Sequence, residues 1–124
     1  MSTKKVYGND EIIEKIVEGI QDVKGKKITL VDMTKLDNYT CGYFVICQGE
    51  SNTQVNSIAE SIKDHVRETL RVKPFAVDGM TNAEWVAMDY GEIIVHVFQP
   101  EARNFYQLES LWEDAKISEY EDLD

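Results

Sequence analysis

The chain has 124 residues, of which 43% are hydrophobic and 10% aromatic, and this length supports one domain with a single core. Its 13 Lys and Arg against 23 Asp and Glu give a net charge of −10. That balance argues against sequence-independent nucleic-acid binding, which needs cations to neutralise phosphates, and against an anionic membrane. It favours a basic partner.

Apolar stretches such as 93–95 are far shorter than a membrane span, and no stretch near the start resembles a signal peptide. We therefore expect a cytosolic protein. Two cysteines, Cys41 and Cys47, lie six residues apart in what reads as one strand, which would separate their Cα atoms by about 20 Å. That distance is beyond disulfide reach, so we expect both to be reduced packing residues.

The first predicted element is an amphipathic helix, because its apolar residues recur with helical spacing and Gly25 follows where a helix should end. The apolar residues are Ile12, Ile13, Ile16, Val17 and Ile20. Next, "KKITLVDM" predicts a strand, and "YFVIC" predicts a second strand that is apolar on both faces. We expect this second strand in the middle of a sheet covered on both sides.

A second helix is predicted after "GES", where Ser51 and Gln54 have the spacing of a capping box. Its apolar stripe consists of Val55, Ile58, Ala59, Ile62, Val66 and Leu70. Pro74 ends the helical pattern, and "PFAVDG" predicts a short strand. The strand–helix–strand crossover over residues 43–79 should connect parallel strands with right-handed topology.

The stretch "EWVAMDYGEIIVHVF" predicts a hairpin, with strands over 85–88 and 93–98 and a turn over 89–91. A last helix is predicted from Asn104 onward. The fold class is therefore α/β, a single domain over 1–115 with a mixed five-stranded sheet flanked by helices. Residues 116–124 are interpreted as an acidic, solvated C-terminal tail, since the last twelve residues hold six carboxylates against one lysine.

Neither histidine has the spacing of a metal ligand. His65 lies within the second helix beside its apolar stripe, where we expect ordinary helix surface. His96 alternates with Ile94 and Phe98 on one face of a strand, and we interpret it as a structural histidine rather than a catalytic base. No metal or cofactor site is predicted.

The most enzyme-like feature is the Gly-x-Ser of residues 49–51, because a strand ending in this pattern and opening a helix resembles the start of a nucleotidyltransferase site. Such enzymes then place two carboxylates to hold Mg²⁺, whereas here no carboxylate follows until Glu60. A turn and a helix cap account for Gly49 and Ser51. We find no assembled catalytic constellation.

The hairpin carries an aromatic and acidic group whose role the residues alone leave open. Alternation along a strand places Trp85, Ala87 and Asp89 on one face, and Val86 and Met88 on the other. A tryptophan beside carboxylates suits a docking surface for another protein. A tryptophan that fills the core is an equally good interpretation of the spacing.

The runs "YFVICQGES", "AEWVAMDYGEIIVHVF" and "ARNFYQLESLWEDA" together resemble the ribosomal silencing factor family, also called Iojap-like. The resemblance extends from the first helix to Ala115 and leaves the acidic tail outside the family pattern. One position departs from it, because the family often has aspartate where this chain has Gly42. The partner-binding residues that the resemblance implies are Trp85, Asp89, Tyr90, Gly91, His96, Arg103 and Tyr106.

The resemblance implies a non-enzymatic, nucleotidyltransferase-like fold without the catalytic carboxylates. It further implies binding to the fourteenth ribosomal protein of the large subunit, which blocks joining of the small subunit and represses translation, notably when nutrients are limited. An acidic, aromatic surface suits a basic ribosomal protein, and this favours the docking interpretation of Trp85. The alternatives are a large-subunit assembly factor and a degenerate nucleotidyltransferase. A homodimer is possible when the protein is free, and no direct contact with DNA is expected.

Overall fold

The structure, a computed structural model, describes residues 7–36, 41–106 and 115–123. Helices and strands are interspersed along the chain and form one sheet with helices packed on it, which confirms the predicted α/β class. The elements are α1 (Asn9–Asp22), β1 (Lys26–Asp32), β2 (Tyr43–Gln48), α2 (Asn52–Leu70), β3 (Ala76–Asp78), β4 (Trp85–Asp89), β5 (Ile93–Phe98), α3 (Pro100–Tyr106) and β6 (Lys116–Glu119).

The strands form one mixed sheet in the order β3-β4-β5-β2-β1-β6. Only β2 and β5 pair in parallel, and the other neighbouring pairs are antiparallel. The sheet therefore has six strands where we predicted five. The additional strand, β6, lies within the segment interpreted as a solvated tail, and it was missed because four residues that include Lys116 and Glu119 carry too little apolar pattern to indicate a strand.

The predicted central strand is confirmed. β2 lies between β5 and β1, and Val45, Ile46 and Cys47 are fully buried. Helices α1 and α2 cover one face of the sheet, and every residue of the predicted α2 stripe is buried there. The opposite face carries a second, smaller apolar cluster that includes Val31, Met33 and Phe98.

The crossover through α2 connects strands that run in the same direction, because β3 and β4, and β4 and β5, are antiparallel while β5 and β2 are parallel. The two strands are not neighbours, however. β3 lies at an edge of the sheet, and β4 and β5 separate it from β2. The predicted right-handed topology of this crossover stays a prediction.

Two helix starts differ from the prediction. The Ser51 Oγ accepts a hydrogen bond from the Gln54 backbone N–H at 3.1 Å, as expected. The Gln54 side-chain oxygen, however, accepts from the backbone N–H of Glu50 at 2.7 Å rather than from that of the cap residue, Ser51. Helix α3 begins at Pro100 rather than Asn104, because proline is well suited to the first turn of a helix. The predicted continuation of this helix beyond Tyr106 lies outside the described residues.

Candidate partner-binding site

The hairpin turn between β4 and β5 is held by its own hydrogen bonds. The Asp89 Oδ1 accepts from the Gly91 N–H at 2.7 Å, and the Tyr90 N–H donates to the Ile93 carbonyl at 2.8 Å. Gly91 has φ +91°, in the region that side chains disfavour. The predicted Asp89–Tyr90–Gly91 turn is confirmed, and its chemistry sets the register of the two strands.

That register defines which side chains share a face. Trp85 lies opposite Phe98, Ala87 opposite His96, and Asp89 opposite Ile94, so all six belong to the face of the sheet that α1 and α2 do not cover. Val86 and Met88 point into the core between the sheet and the helices, as the alternation predicted. We call the group formed by Phe44, Trp85, Ala87, Asp89, Ile94, His96 and Phe98 the aromatic face.

Trp85 is half-buried, which combines the two interpretations that the spacing left open. Its indole stacks on the Phe98 ring with centroids 5.1 Å apart and planes at 25°, and its Nε1 donates to the His96 Nδ1 at 3.0 Å. Part of the Trp85 surface remains accessible. Because these contacts already fix the side chain, binding of a partner to its accessible part would cost little further side-chain entropy.

His96 lies beneath this surface, with 6% of its area exposed. The Phe44 ring meets it edge-on at 4.7 Å, and burial lowers the His96 pKa to about 4. The ring is therefore neutral at pH 7, and because Nδ1 accepts the indole hydrogen bond, the ring proton is assigned to Nε2. Within the described residues Nε2 has no hydrogen-bond partner. His96 orients Trp85, in agreement with the structural role we predicted.

Two residues predicted to contact a partner are buried instead. Tyr90 is 5% exposed within the core between the sheet and the helices, and this burial raises the pKa of its hydroxyl. Arg103 is 8% exposed, and its guanidinium donates to the Lys27 carbonyl at 2.7 Å and to the Thr29 Oγ1 at 3.0 Å. Arg103 joins α3 to β1. Tyr90 continues the alternation that points Val86 and Met88 into the core, and this signal could have indicated its burial. The contacts of Arg103 with distant residues could not be inferred from spacing along the chain.

The last predicted contact, Tyr106, is the final residue of α3, and its side chain is outside what the structure describes. Two residues of the surface were missed. Phe44 lies half-buried on the aromatic face, and alternation along "YFVIC" could have indicated this once β2 was placed beside β5. Phe75 is 81% exposed, and its N–H donates to the Asp89 carbonyl at 2.7 Å.

Carboxylates surround the hairpin. Asp78, Glu84 and Glu92 are exposed, and Asp89 is half-exposed at the turn. Glu92 accepts a hydrogen bond from the Asn9 side chain at 2.8 Å, whereas the other side chains project from the sheet or its connections. The aromatic face is therefore bordered by negative charge, which attracts Lys and Arg of a partner.

Elsewhere the features weighed for catalysis have structural roles. The Ser51 hydroxyl caps α2, as predicted, and Cys41 and Cys47 are free and buried, with the pKa of each thiol raised by burial. Across the described ranges, no group of three or more His, Cys, Asp or Glu side chains could hold a metal ion. None of the described helices is long and apolar enough to cross a membrane.

The fold and the hairpin together define a single-domain α/β protein that presents a preorganised, acid-bordered aromatic surface. Residues 8–124 match the model of the family described as "Ribosomal silencing factor during starvation", and the chain belongs to this family. The match continues to the last residue, so the prediction that the family pattern ends at Ala115 is wrong.

Individual relatives agree with this assignment. The chain is 38% identical to the ribosomal silencing factor RsfS of Bacillus subtilis over 79% of this chain and 81% of that protein. It is 26% identical to the mouse protein named "Mitochondrial assembly of ribosomal large subunit protein 1", over 81% of this chain and 44% of the mouse protein. A crystal structure of a Chromobacterium violaceum protein, 32% identical, superposes with a TM-score of 0.81 and covers 93% of this chain and 94% of its own.

Proposed function

We propose that this protein is a ribosomal silencing factor that binds the fourteenth ribosomal protein of the large subunit and blocks joining of the small subunit. The observation that carries the proposal is the half-buried Trp85, held by His96 and bordered by carboxylates, in a chain of this family. A basic ribosomal protein offers the Arg and Lys that such a surface recognises.

The aromatic face supplies the contact in two parts. Trp85 provides a large rigid area at the centre, and tryptophan is enriched among the residues that dominate binding energy. Asp89 and Gly91 present the turn to the partner, while His96, Tyr90 and Arg103 hold the surface in place from beneath. Tyr106, at the end of α3, is a further proposed contact.

The mechanism we propose is steric and needs no catalytic group. A protein seated on the joining face of the large subunit occupies space that the small subunit requires, so the two compete for the same free particle. Repression then follows mass action: it increases with the concentration of the factor and falls as small subunits become abundant. We place this activity in the cytosol, notably during nutrient limitation.

Sedimentation tests the proposal. We expect the tagged protein to co-sediment with free large subunits in a sucrose gradient and to be absent from polysomes. Trp85→Ala, verified as folded by circular dichroism, should shift to the top of the gradient, whereas Glu60→Gln, an exposed change on α2, should sediment like the wild type. Recovery of the wild type mainly on polysomes would contradict a steric block.

A role in large-subunit assembly is a second candidate, favoured by the name of the mouse relative. An experiment with purified mature subunits distinguishes silencing from assembly. If the protein silences, adding it to mature large subunits before small subunits should lower the yield of joined ribosomes in proportion to its occupancy. If it acts in assembly, joining of mature subunits should be unaffected, and depletion from cells should instead enrich immature large particles.

A further inference from the structure

A groove of about 360 Å³ lies between α2 and β3, beside the hairpin turn. The residues that line it are Lys63, Arg67, Lys73, Pro74, Phe75, Ala76 and Val77. They include three cations and no carboxylate, in a chain whose net charge is −10. The groove therefore differs in charge from the acidic border of the aromatic face.

Phe75 is the second unusual feature of this groove. With 81% of its surface exposed, it is the most exposed of the large hydrophobic residues described. Its backbone N–H is bonded to the Asp89 carbonyl, and its ring passes beside Gly91, where an added Cβ would come within 3.5 Å of the Phe75 Cε2. Phe75, which immediately precedes the edge strand β3, thus presents an aromatic ring next to the proposed docking surface.

We propose that this groove binds an unpaired segment of RNA on the large subunit, with a base stacked on Phe75 and the backbone phosphates at Lys63 and Lys73. An aromatic ring for stacking beside cations that follow the backbone is the arrangement used for single-stranded nucleic acid. The inference rests on the proposed function, since it places the groove against the same particle. An acidic peptide would satisfy the lysines but leave the ring without a matching planar group.

The cations are available for this contact. Lys63 and Lys73 are exposed and have no ion-pair partner among the described residues. Arg67 lies 3.4 Å from an Asp64 oxygen and 4.0 Å from a Glu68 oxygen, but exposed pairs of this kind contribute little and exchange readily for phosphate. We therefore assign the main role to the two lysines.

The net charge of the chain is compatible with such a local contact. At physiological salt, charges further apart than about 8 Å are largely screened, so the groove acts mainly through its own cations. Phe75 contacts the turn at Gly91 and also lines the groove, which joins an acidic surface to a basic one. The acidic surface could then contact a basic ribosomal protein while the basic groove contacts the RNA beside that protein.

Binding of purified large subunits tests the inference with three variants. Phe75→Ala and the double variant Lys63→Glu/Lys73→Glu should each weaken binding about tenfold or more, consistent with the loss of one stacked base or of two phosphate contacts. Phe75→Tyr keeps a stacking ring and should bind like the wild type. The double variant should keep its affinity for the isolated fourteenth ribosomal protein.

Lys24→Glu is a control for a general charge effect, because it makes half of the charge change of the double variant at a distant site. Lys24 is exposed, and its carbonyl accepts from Gln54 at the start of α2, whereas the groove lies towards the other end of this 19-residue helix, which is about 28 Å long. Binding of the Lys24→Glu variant to large subunits should be the same as that of the wild type. An equal loss in Lys24→Glu and the double variant would show a general charge effect and overturn the inference.

The chemistry of the ligand is tested with two labelled probes, a ten-nucleotide single-stranded oligoadenylate and an oligoglutamate of similar charge. We expect salt-dependent binding of the oligoadenylate that Phe75→Ala weakens about tenfold, and weaker binding of oligoglutamate. No oligoadenylate binding by the wild type, or tighter binding of oligoglutamate, would overturn the RNA assignment.

The two proposals fail separately. If wild-type protein does not bind large subunits, the proposed function is wrong. If the wild type binds and Phe75→Ala binds equally well, the RNA contact alone is wrong.

Discussion

At the scale of single residues, Trp85 and His96 act as one unit. The indole N–H is satisfied by the His96 Nδ1, and the ring rests on Phe98. This arrangement fixes the tryptophan in one orientation before any partner arrives. Stability and recognition are therefore coupled at this position. A variant that removes only the hydrogen bond and one that removes the whole side chain should separate the two contributions.

Replacing Trp85 tests this coupling. Trp85→Phe keeps a ring over Phe98 but leaves the His96 Nδ1 without its donor, so the free energy of unfolding should fall by about 1 to 3 kcal/mol in a urea melt. Trp85→Ala should cost about 2 to 4 kcal/mol, since the side chain is only half-buried. In the folded fraction, Trp85→Ala should also weaken binding to the fourteenth ribosomal protein by about 2 kcal/mol, or thirtyfold. Normal binding by folded Trp85→Ala would make the indole a packing residue alone.

Burial of His96 should make the free energy of unfolding depend on pH. Its pKa in the folded protein, about 4, lies below the ordinary value of 6.5, so the unfolded chain takes up this proton first and stability falls as pH falls below 6.5. Between pH 7 and pH 5 the free energy of unfolding should decrease by about 2 kcal/mol.

His96→Gln is the control for this effect, because its amide oxygen can still accept from the Trp85 Nε1 while the group no longer titrates. Glu18 and Asp32, whose pKa values are lowered from ordinary values of 4.5 and 3.8, titrate below this interval. Urea melts at both pH values should therefore show a smaller loss in His96→Gln. An equal loss in the two proteins would assign the pH dependence to other groups.

At the scale of elements, α1 and α2 are in close contact at Gly19. A Cβ there would lie 2.9 Å from the Ile62 Cα, and the Ser61 hydroxyl donates to the Gly19 carbonyl at 2.6 Å. The two helices form the layer that covers one face of the sheet, so their separation sets how deeply the α2 stripe reaches into the core.

Gly19→Ala should therefore destabilise the protein, although alanine favours a helix interior by about 1 kcal/mol over glycine. The added methyl group meets backbone atoms that cannot move independently, and the resulting separation of the helices should lower the free energy of unfolding by about 1 to 3 kcal/mol in a urea melt. Ser57→Ala, an exposed change on α2, is the control and should be nearly neutral. A more stable Gly19→Ala would show that the helices separate without cost.

At the scale of the whole molecule, charge is distributed unevenly. Carboxylates border the aromatic face, while Lys63, Arg67 and Lys73 line the groove beside Phe75. Since α1 and α2 occupy the opposite side of the sheet, their exposed carboxylates point away from the aromatic face. The aromatic face is therefore suited to a basic protein, and the net negative charge of the chain favours the same kind of partner.

Salt should accordingly slow association with the fourteenth ribosomal protein, because the Debye length shrinks from about 10 Å at 0.1 M to about 3 Å at 1 M. Stopped-flow measurements should show a reduced dependence on salt in Asp78→Asn/Glu84→Gln. The double variant Glu14→Gln/Glu60→Gln removes the same charge from the helices and should retain most of the wild-type dependence. A wild-type association rate that is indifferent to salt would leave the acidic border without a role in binding.

The sequence by itself determined the features that depend on neighbours along the chain. These are the apolar stripe of α2, the buried character of β2, the turn at Asp89–Gly91 and the face shared by Trp85 and Asp89. Each follows from periodicity or from local turn chemistry, which act over a few residues.

Tertiary structure alone decided the rest, because it depends on groups far apart in sequence. β6 exists through backbone pairing with β1, and Arg103 is buried by partners 74 and 76 residues away. The groove at Phe75 forms only where Lys63 and Arg67 of α2 and the turn at Gly91 come together. No local pattern encodes such contacts, since they form only when the sheet order brings their elements together.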